Sequence, residues 1–396
     1  MSRDDRAPLW VVNAITFLAS LGTGVLWTGI AFIAKHDYGF DQRQSFLLLT
    51  IAGVLYVVAA FGAGPLTRLV VRRASPRAIM AWVFVLMIVS SLPILIPGKV
   101  ALLWIAACVN SITAAWLWPI IEASLAAGRH GRALRSALGW WNITWTSAVA
   151  LSLILMAPLV ERELARLAIA ALAPLALGSL VLLRWMPRSP APHDPEDPAA
   201  EATPEFPLLL QAARLLLPTS YVLIGALAPL MPFLLVDLGV ARRDETPLAS
   251  TWMIARVAAL AIMWRSTFWH GRWGTLLFGG VLLGAGFGAT LLAPSTPLLV
   301  LALAAFGAGQ GIIYYAAIYY AMTVGRAAVD AGGTHEALIG LGYAIGPAAG
   351  LVAFGLATDR SGASVLVAIV GSILLAAAVG ALWPYRAARR RRRSER

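Results

Sequence analysis

Twelve long apolar stretches run along the chain, and one polar, proline-rich segment separates the first six from the last six. A helix crosses the hydrocarbon core of a bilayer in about 20 residues, and each stretch is near that length. The stretches do not alternate polar and apolar residues, as the strands of a membrane barrel would. The predicted spans are 9–34, 46–64, 79–97, 100–124, 136–159, 165–187, 209–236, 248–268, 273–293, 296–322, 334–358 and 362–384.

The segment between the two sets of spans reads RSPAPHDPEDPAAEATPE. Its proline and acidic residues and its few apolar ones favour a flexible linker over a packed element. We therefore predict an all-α membrane protein, with twelve transmembrane helices in two pseudo-symmetric six-helix bundles. The predicted units are 1–187 for the first bundle, 188–205 for a cytoplasmic linker, 206–385 for the second bundle and 386–396 for a basic cytoplasmic tail.

Composition agrees with a lipid environment. The chain is 60% hydrophobic and 13% charged, with a mean hydropathy of +0.78. The surface of a water-soluble domain of this length needs more polar side chains. Lysine is almost absent beside many alanines, glycines and arginines, which is typical of a GC-rich bacterial genome, so we expect the bacterial inner membrane.

The placement of basic residues predicts the orientation. Of the 31 lysines and arginines, 21 fall on the side of the membrane that holds the termini and 8 on the other, with Arg214 and Arg256 inside spans. Basic residues are retained on the cytoplasmic side, so we expect both termini in the cytoplasm. The same rule accounts for the net charge of +12, and we do not expect a nucleic-acid partner. The basic tail is expected to lie against the headgroups of the lipid bilayer.

Sequence motifs for catalysis or metal binding are missing. Cys108 is the single cysteine and lies in an apolar span, and the five histidines form no HExxH pattern. No glycine-rich phosphate loop precedes a helix. We therefore predict no catalytic residue, no metal and no cofactor, and a protein that is not an enzyme.

Two motifs give the chain a resemblance to a known family. The loop after the second span reads GPLTRLVVRR from Gly64, and the eleventh span contains GYAIGPAAG from Gly342. With two six-helix halves and a long linker between them, the chain resembles the major facilitator superfamily. The family's loop usually reads G-x-L-x-D-R-x-G-R-R, so Arg68 stands where the family has an acid. The glycine motif is known from helix 5 of the family's drug/proton antiporters; in the eleventh span we interpret it as a packing surface.

This resemblance implies a secondary active transporter that moves a small organic solute across the inner membrane by alternating access. The substrate site is expected near the midplane, between the halves. A proton or another coupling ion is left open as a second partner, and we expect a monomer. Two other classes stay open: a non-transporting membrane receptor or scaffold on the same fold and, less favoured, a membrane-embedded enzyme.

Arg256 is the sharpest candidate for substrate binding, because it stands near the middle of the eighth span with no other charge within seven residues. A charge inside the membrane costs several kcal/mol unless it is paired or hydrated. We predict that Arg256 faces the interior and binds an anionic or polar substrate; a structural ion pair is the alternative. The other predicted substrate-binding residues are polar or aromatic, and interhelical packing is the alternative for them: Asn13, Trp118, Asn142, Trp145, Gln310, Tyr314 and Tyr315.

Coupling or gating roles are predicted for Glu122, Arg68, His335 and Glu336. Glu122 would carry a proton, or else pair with a nearby arginine. Arg68 would approach the start of the eleventh helix, where the helix dipole favours Glu336 in the first turn. The two side chains would then form a sign-reversed latch on the cytoplasmic side.

Overall fold

The computed structural model describes residues 6–70, 74–129, 131–190, 205–324, 329–356 and 361–394. Within these ranges no strand occurs, and twelve helical spans are long and apolar enough to cross a membrane. The predicted fold class is therefore confirmed. The spans are α1 Leu9–Tyr38, α2 Gln42–Val70, α3 Pro76–Leu95, α4 Val100–Ala126, α5 Gly131–Glu161, α6 Leu167–Trp185, α7 Phe206–Leu227, α8 Arg242–Arg265, α9 Trp273–Leu291, α10 Thr296–Val324, α11 Val329–Leu356 and α12 Ser361–Ser394.

Four spans, α1, α3, α6 and α8, depart from a regular α-helix: α3 ends in a 3₁₀ turn, Leu92–Leu95, and α6 is divided at Ala171. A π-helical turn, Gly24–Gly29, interrupts α1. A short helix, Met231–Asp237, follows α7, and α8 is divided at Ser250. Single π-helical turns are rare and are concentrated at functional sites. The turn in α1 lies where that helix reaches the interior described below.

The helix ends differ from the predicted bounds by a few residues. Gly39, at φ +68°, adopts the left-handed conformation that ends α1 beyond the predicted boundary at 34. The Ser75 hydroxyl accepts a hydrogen bond from the Ala78 amide at 3.3 Å, and Pro76 follows it, so α3 begins before the predicted 79. Of the predicted linker, residues 191–204 lie outside the described part of the chain.

The two halves pack internally and then against each other. In the first half α1 contacts α5 and α6, and α4 contacts α2 and α3; in the second, α7 contacts α11 and α12, and α10 contacts α8 and α9. The halves meet along α2 with α11 and along α5 with α8. The start of α1 and the end of α12 lie at one end of the bundle, because the number of described spans is even; we call this the terminal end and the other the far end.

The helices of the two halves, and α7 and α11 within the second half, pack most closely where one of them has a glycine. A Cβ atom added at Gly53 of α2 would lie 2.3 Å from the Tyr343 carbonyl oxygen of α11. In the glycine motif of α11, a Cβ at Gly342 would lie 2.3 Å from the Cβ of Tyr221, and one at Gly346 would lie 2.3 Å from the Val222 oxygen. The motif therefore packs α11 directly on α7, as its packing interpretation predicts.

Candidate functional site

An aromatic cavity of about 60 Å³ lies between the two halves. It has room for a few water molecules, so a larger solute needs the surrounding helices to separate. Side chains from α1, α2, α4 and α5 of the first half and from α7, α10 and α11 of the second form its wall. They are Thr23, Trp27, Tyr56, Trp118, Trp141, Trp145, Tyr221, Tyr314, Glu336, Ile339 and Tyr343.

Aromatic contacts across the cavity join the halves. The ring of Trp27, in the π-helical turn of α1, lies 4.2 Å from that of Tyr343 in α11 and 5.4 Å from that of Tyr56 in α2. On the other side of the cavity, Trp145 of α5 meets Tyr314 of α10 edge-on, with ring centroids 5.3 Å apart. Such pairs contribute roughly 0.5–1.5 kcal/mol each beyond their buried area.

Arg256 lies behind this aromatic wall and is only 1% exposed. Its Cζ atom is 4.2 Å from the ring centroid of Trp145 and 4.5 Å from that of Tyr314, so the guanidinium contacts two aromatic faces. Nη2 is 3.4 Å from the Tyr221 hydroxyl, and Nε has no hydrogen-bond partner. No carboxylate in the described ranges forms an ion pair with it. The charge is thus compensated by aromatic rings and one long hydrogen bond.

Two buried amides accompany the arginine. Asn142 donates to the Leu138 carbonyl at 2.8 Å and accepts from the Trp145 indole at 3.1 Å, which fixes the ring that Arg256 contacts. Gln310 is fully buried within reach of the Tyr221 hydroxyl, and neither its amide nitrogen nor its oxygen makes a hydrogen bond of good geometry. Burying an unsatisfied amide costs about 1–3 kcal/mol, so the Gln310 side chain is available to bind a polar ligand.

A second buried cluster brings Glu122 of α4 to His335 and Glu336 of α11. One potential ligand atom from each of the three side chains lies within 4.8 Å of the others. The Tyr56 hydroxyl donates to a Glu336 oxygen, and the Glu122 carboxyl lies within hydrogen-bonding reach of Glu336, whereas His335 Nε2 lacks a hydrogen-bond partner. Among the residues that the structure describes, no lysine or arginine pairs with either carboxylate. The cluster is able to hold a cation, either a proton or a metal ion.

Polar contacts join the halves at the far end. The Lys35 ammonium donates to the Pro232 carbonyl at 2.6 Å, and His36 Nε2 lies 2.7 Å from the carboxylate of the fully buried Glu245. The exposed Glu163 accepts a hydrogen bond from Arg242, which holds the pKa of that carboxyl below its ordinary value. These contacts hold the two halves together at this end.

Aromatic contacts join the halves at the terminal end. Trp140 of α5 packs on Trp264 of α8, with ring centroids 5.0 Å apart. A Cβ at the neighbouring Gly139 would lie 2.1 Å from the Trp264 ring, so only glycine permits this approach. The two halves therefore contact each other at both ends of the bundle.

The comparison with known families agrees with this architecture. A family model described as the Major Facilitator Superfamily matches residues 12–347. The chain belongs to the Major Facilitator Superfamily. It is therefore a multi-pass membrane transporter, in agreement with its twelve candidate spans. A search of curated proteins finds no significant match.

Solved structures of other transporters share the fold. A POT family transporter in complex with 5-aminolevulinic acid has a TM-score of 0.73 at 10% identity, covering 95% of this chain and 96% of that one. The human organic anion transporter MFSD10 (TETRAN) has 0.67 at 15% identity, covering 96% and 100%. The nucleoside transporter NupG has 0.65 at 14% identity, covering 95% and 98%. At such identities the likeness shows the fold alone.

Most of the predicted substrate-binding residues lie in or next to the central cavity. Trp118, Trp145 and Tyr314 line the cavity, while Arg256, Asn142 and Gln310 lie around them. Two lie elsewhere. The Asn13 amide donates to the Leu9 carbonyl of its own helix at 2.9 Å, and Tyr315 packs on Trp269, with ring centroids 5.7 Å apart.

The predicted gating residues divide in the same way. Glu122, His335 and Glu336 form the buried cluster. Since α11 begins at Val329, Glu336 lies in the third turn of the helix, and the prediction that it lies in the first turn is wrong. The helix dipole falls off within the first turn and does not explain this glutamate. The side chain of Arg68 lies outside the described residues.

Sequence reasoning missed Trp27, Tyr56, Tyr221 and Tyr343 as cavity residues. All four are aromatic residues inside long apolar spans, where a sequence gives no reason to prefer them over aromatics that pack elsewhere. The one available signal was the glycine motif of α11. A tyrosine that follows Gly342 along the chain lies beside the surface where α11 meets α7.

Proposed function

We propose that this transporter carries a small organic anion, with a carboxylate or similar group, across the bacterial inner membrane by alternating access. The observation that carries the proposal is the buried charge of Arg256, which has no acidic partner in the described ranges. A guanidinium binds a carboxylate through two parallel hydrogen bonds. Trp145 and Tyr314, which line the cavity, would offer flat faces to an unsaturated or cyclic part of the same solute.

The energetics favour a ligand over a structural role. Removing a charge from water costs several kcal/mol even after relaxation. Two aromatic faces return about 2 kcal/mol or more in a desolvated site, which leaves part of the cost uncompensated. A bound anion would supply the rest. The Gln310 amide, which lies near the Tyr221 hydroxyl that Arg256 contacts, would complete its recognition.

Alternating access would use the contacts at the two ends of the bundle. The far end is joined through Lys35, His36 and Glu245, and the terminal end through Trp140 and Trp264. Each set links a helix of one half to a segment of the other. Breaking one set while keeping the other would expose the cavity to one side of the membrane at a time.

Proton coupling is the second part of the proposal. Glu122 and Glu336 come from opposite halves and are 1% and 4% exposed. Two adjacent carboxylates in a low dielectric cannot both be charged without a cation, so one proton held between them is the simplest compensation. A solute anion and a proton would then cross together, and the membrane proton gradient would drive uptake.

The test uses purified protein in proteoliposomes and a panel of labelled carboxylates with their neutral amides. Wild-type protein should accumulate a carboxylate and not its amide. Arg256→Ala should weaken binding by about 10- to 150-fold, the equivalent of roughly 1.5–3 kcal/mol for charged hydrogen bonds. Arg256→Lys should retain part of it, and Arg43→Ala, which removes an exposed arginine, should change nothing. Preference for neutral solutes, or full binding by Arg256→Ala, would contradict the proposal, and binding without flux would favour a receptor.

Coupling is tested in the same vesicles. Glu122→Gln keeps the shape of the side chain but cannot release a proton, so accumulation driven by a pH gradient should disappear while exchange of internal for external solute continues. Accumulation driven by a pH gradient that survives in Glu122→Gln would exclude this pair. Inhibition by a chelator, reversed by a divalent metal, would assign the cluster to a metal ion instead.

A further inference from the structure

A large apolar groove lies on the outer surface of the second half, away from the central cavity. It has a volume of about 810 Å³ and is bounded by α9 and α12, with α7 as its floor. Along α9 it runs from Trp273 to Ala285. At 1.5 Å per residue, that length is about 18 Å, close to the thickness of one leaflet, which is half of the roughly 30 Å hydrocarbon core.

The walls of the groove face lipid. Leu277 and Val281 of α9 and Leu375 of α12 are 71%, 58% and 66% exposed, although all three are strongly apolar. Glycines make the groove deep: a Cβ added at Gly280 or Gly371 would meet no atom within 4 Å. The space is thus open to a chain entering from the bilayer.

One end of the groove is polar and basic. The rings of Trp273 and Tyr385 close it at the terminal end, 5.4 Å apart, and the Trp273 indole nitrogen is buried without a hydrogen-bond partner. Arg272 directly precedes Trp273, and Arg386 directly follows Tyr385; both arginines are exposed. Neither α9 nor α12 contains an acidic residue. Basic pockets between membrane helices at this depth bind anionic headgroups.

We propose that this groove is a binding site for an anionic phospholipid of the terminal-side leaflet. One acyl chain lies between α9 and α12, and the phosphate lies beside Arg272 and Arg386, next to the Trp273 ring. The match to a single leaflet favours a lipid over a second copy of the protein, because a helix from another subunit would follow the whole membrane thickness. The site is independent of the substrate proposed for the cavity.

The glycines of α9 provide a matched pair of variants. Gly280→Leu fills the groove, and its new side chain meets open space, so the fold is retained. Gly288→Leu is the control, since Gly288 is on the same helix, also has no atom within 4 Å of an added Cβ, and does not line the groove. A thermal unfolding measurement on both variants without added lipid checks that each remains folded.

Binding is measured by native mass spectrometry of the delipidated protein with added phosphatidylglycerol or phosphatidylcholine. Wild type and Gly288→Leu should retain phosphatidylglycerol preferentially, and Gly280→Leu should lose at least tenfold in affinity. Each of Arg272→Gln and Arg386→Gln should cost about fivefold for phosphatidylglycerol and nothing for phosphatidylcholine, as expected for one basic residue at the headgroup level. Equal binding of the two lipids, or equal loss in both glycine variants, would overturn the proposal. A dimer that Gly280→Leu dissociates would assign the groove to a second copy.

Discussion

The far-end closure gives a prediction with an internal control. Glu245 and Glu163 are both carboxylates that join the halves at this end, yet their surroundings are opposite. The Glu245 side chain is fully buried against His36, with one oxygen unpartnered, whereas the Glu163 side chain is 63% exposed beside Arg242. Substituting each glutamate with glutamine removes the same charge, once from a buried site and once from a site exposed to water. The two variants therefore compare the same chemical change in two environments.

The expected magnitudes follow from burial. A buried hydrogen bond to a charged group contributes about 1.5–3 kcal/mol. Glu245→Gln should therefore raise the ratio of molecules open at the far end to molecules closed there by roughly 10- to 150-fold. An exposed ion pair is screened by water and salt, and Glu163→Gln should leave the open fraction close to wild type. His36→Gln should resemble Glu245→Gln, and the double variant should add little to either, because both remove the same contact.

The assay is a distance measurement between spin labels on the two halves. Arg43 and Arg243 are exposed at the far end, one in each half, and Cys108 is replaced by alanine so that the labels are unique. Opening should shift the distance distribution to longer values in Glu245→Gln and not in Glu163→Gln. Equal shifts in the two variants, or none in either, would refute the argument that burial decides which contact holds this end closed.

Two further predictions concern the remaining contacts. Gly139→Ala places a methyl group where the Trp264 ring lies 2.1 Å away, so spin labels at the terminal end should report that the halves open there. Gly62→Ala is the control, because a Cβ at Gly62 meets nothing within 4 Å. An unchanged distance between the labels in Gly139→Ala would contradict the role of this contact. The lowered pKa of Glu163 means that its pair with Arg242 contributes above the ordinary carboxyl pKa of 4.5 and is lost as the pH falls below it. Because the pair is exposed and screened, a stability profile from pH 3 to 7 should flatten only slightly at its acid end in Glu163→Gln, and a large change in that profile would contradict this.

The fold could be predicted from the sequence because the bilayer imposes it. Any chain segment that crosses hydrocarbon must satisfy its backbone hydrogen bonds internally, so length and hydropathy are enough to find the helices. The exact ends of the helices could not be predicted, because a capping residue such as Gly39 or Ser75 determines the end only within one turn. Neighbouring residues in the sequence could serve as caps equally well. The start of α11 shows the consequence: a shift from 334 to Val329 moved Glu336 by more than one turn and removed the dipole argument built on it.

Only those residues of the candidate site whose type is rare inside a membrane, the charged ones, could be predicted from the sequence. Arg256 and Glu122 stood out because a charge among apolar residues needs an explanation. Trp27 and Tyr343 gave no such signal, since an aromatic residue fits a lipid-facing, packed or cavity position equally well. What places these two together is the π-helical turn of α1 and the close glycine contacts of α11, which depend on tertiary packing between distant segments.

The two buried charge sites share one arrangement that neither sequence nor fold requires. Arg256 of the second half lies on the ring of Trp145 in the first, and Glu122 of the first half lies beside Glu336 of the second. A separation of the halves at these contacts would expose the guanidinium and split the carboxylate pair. Both groups are costly to bury alone, so the occluded state is favoured when an anion occupies one site and a proton the other. Under the proposed function, this is a physical reason for the solute and the proton to cross together, without a direct contact between their sites.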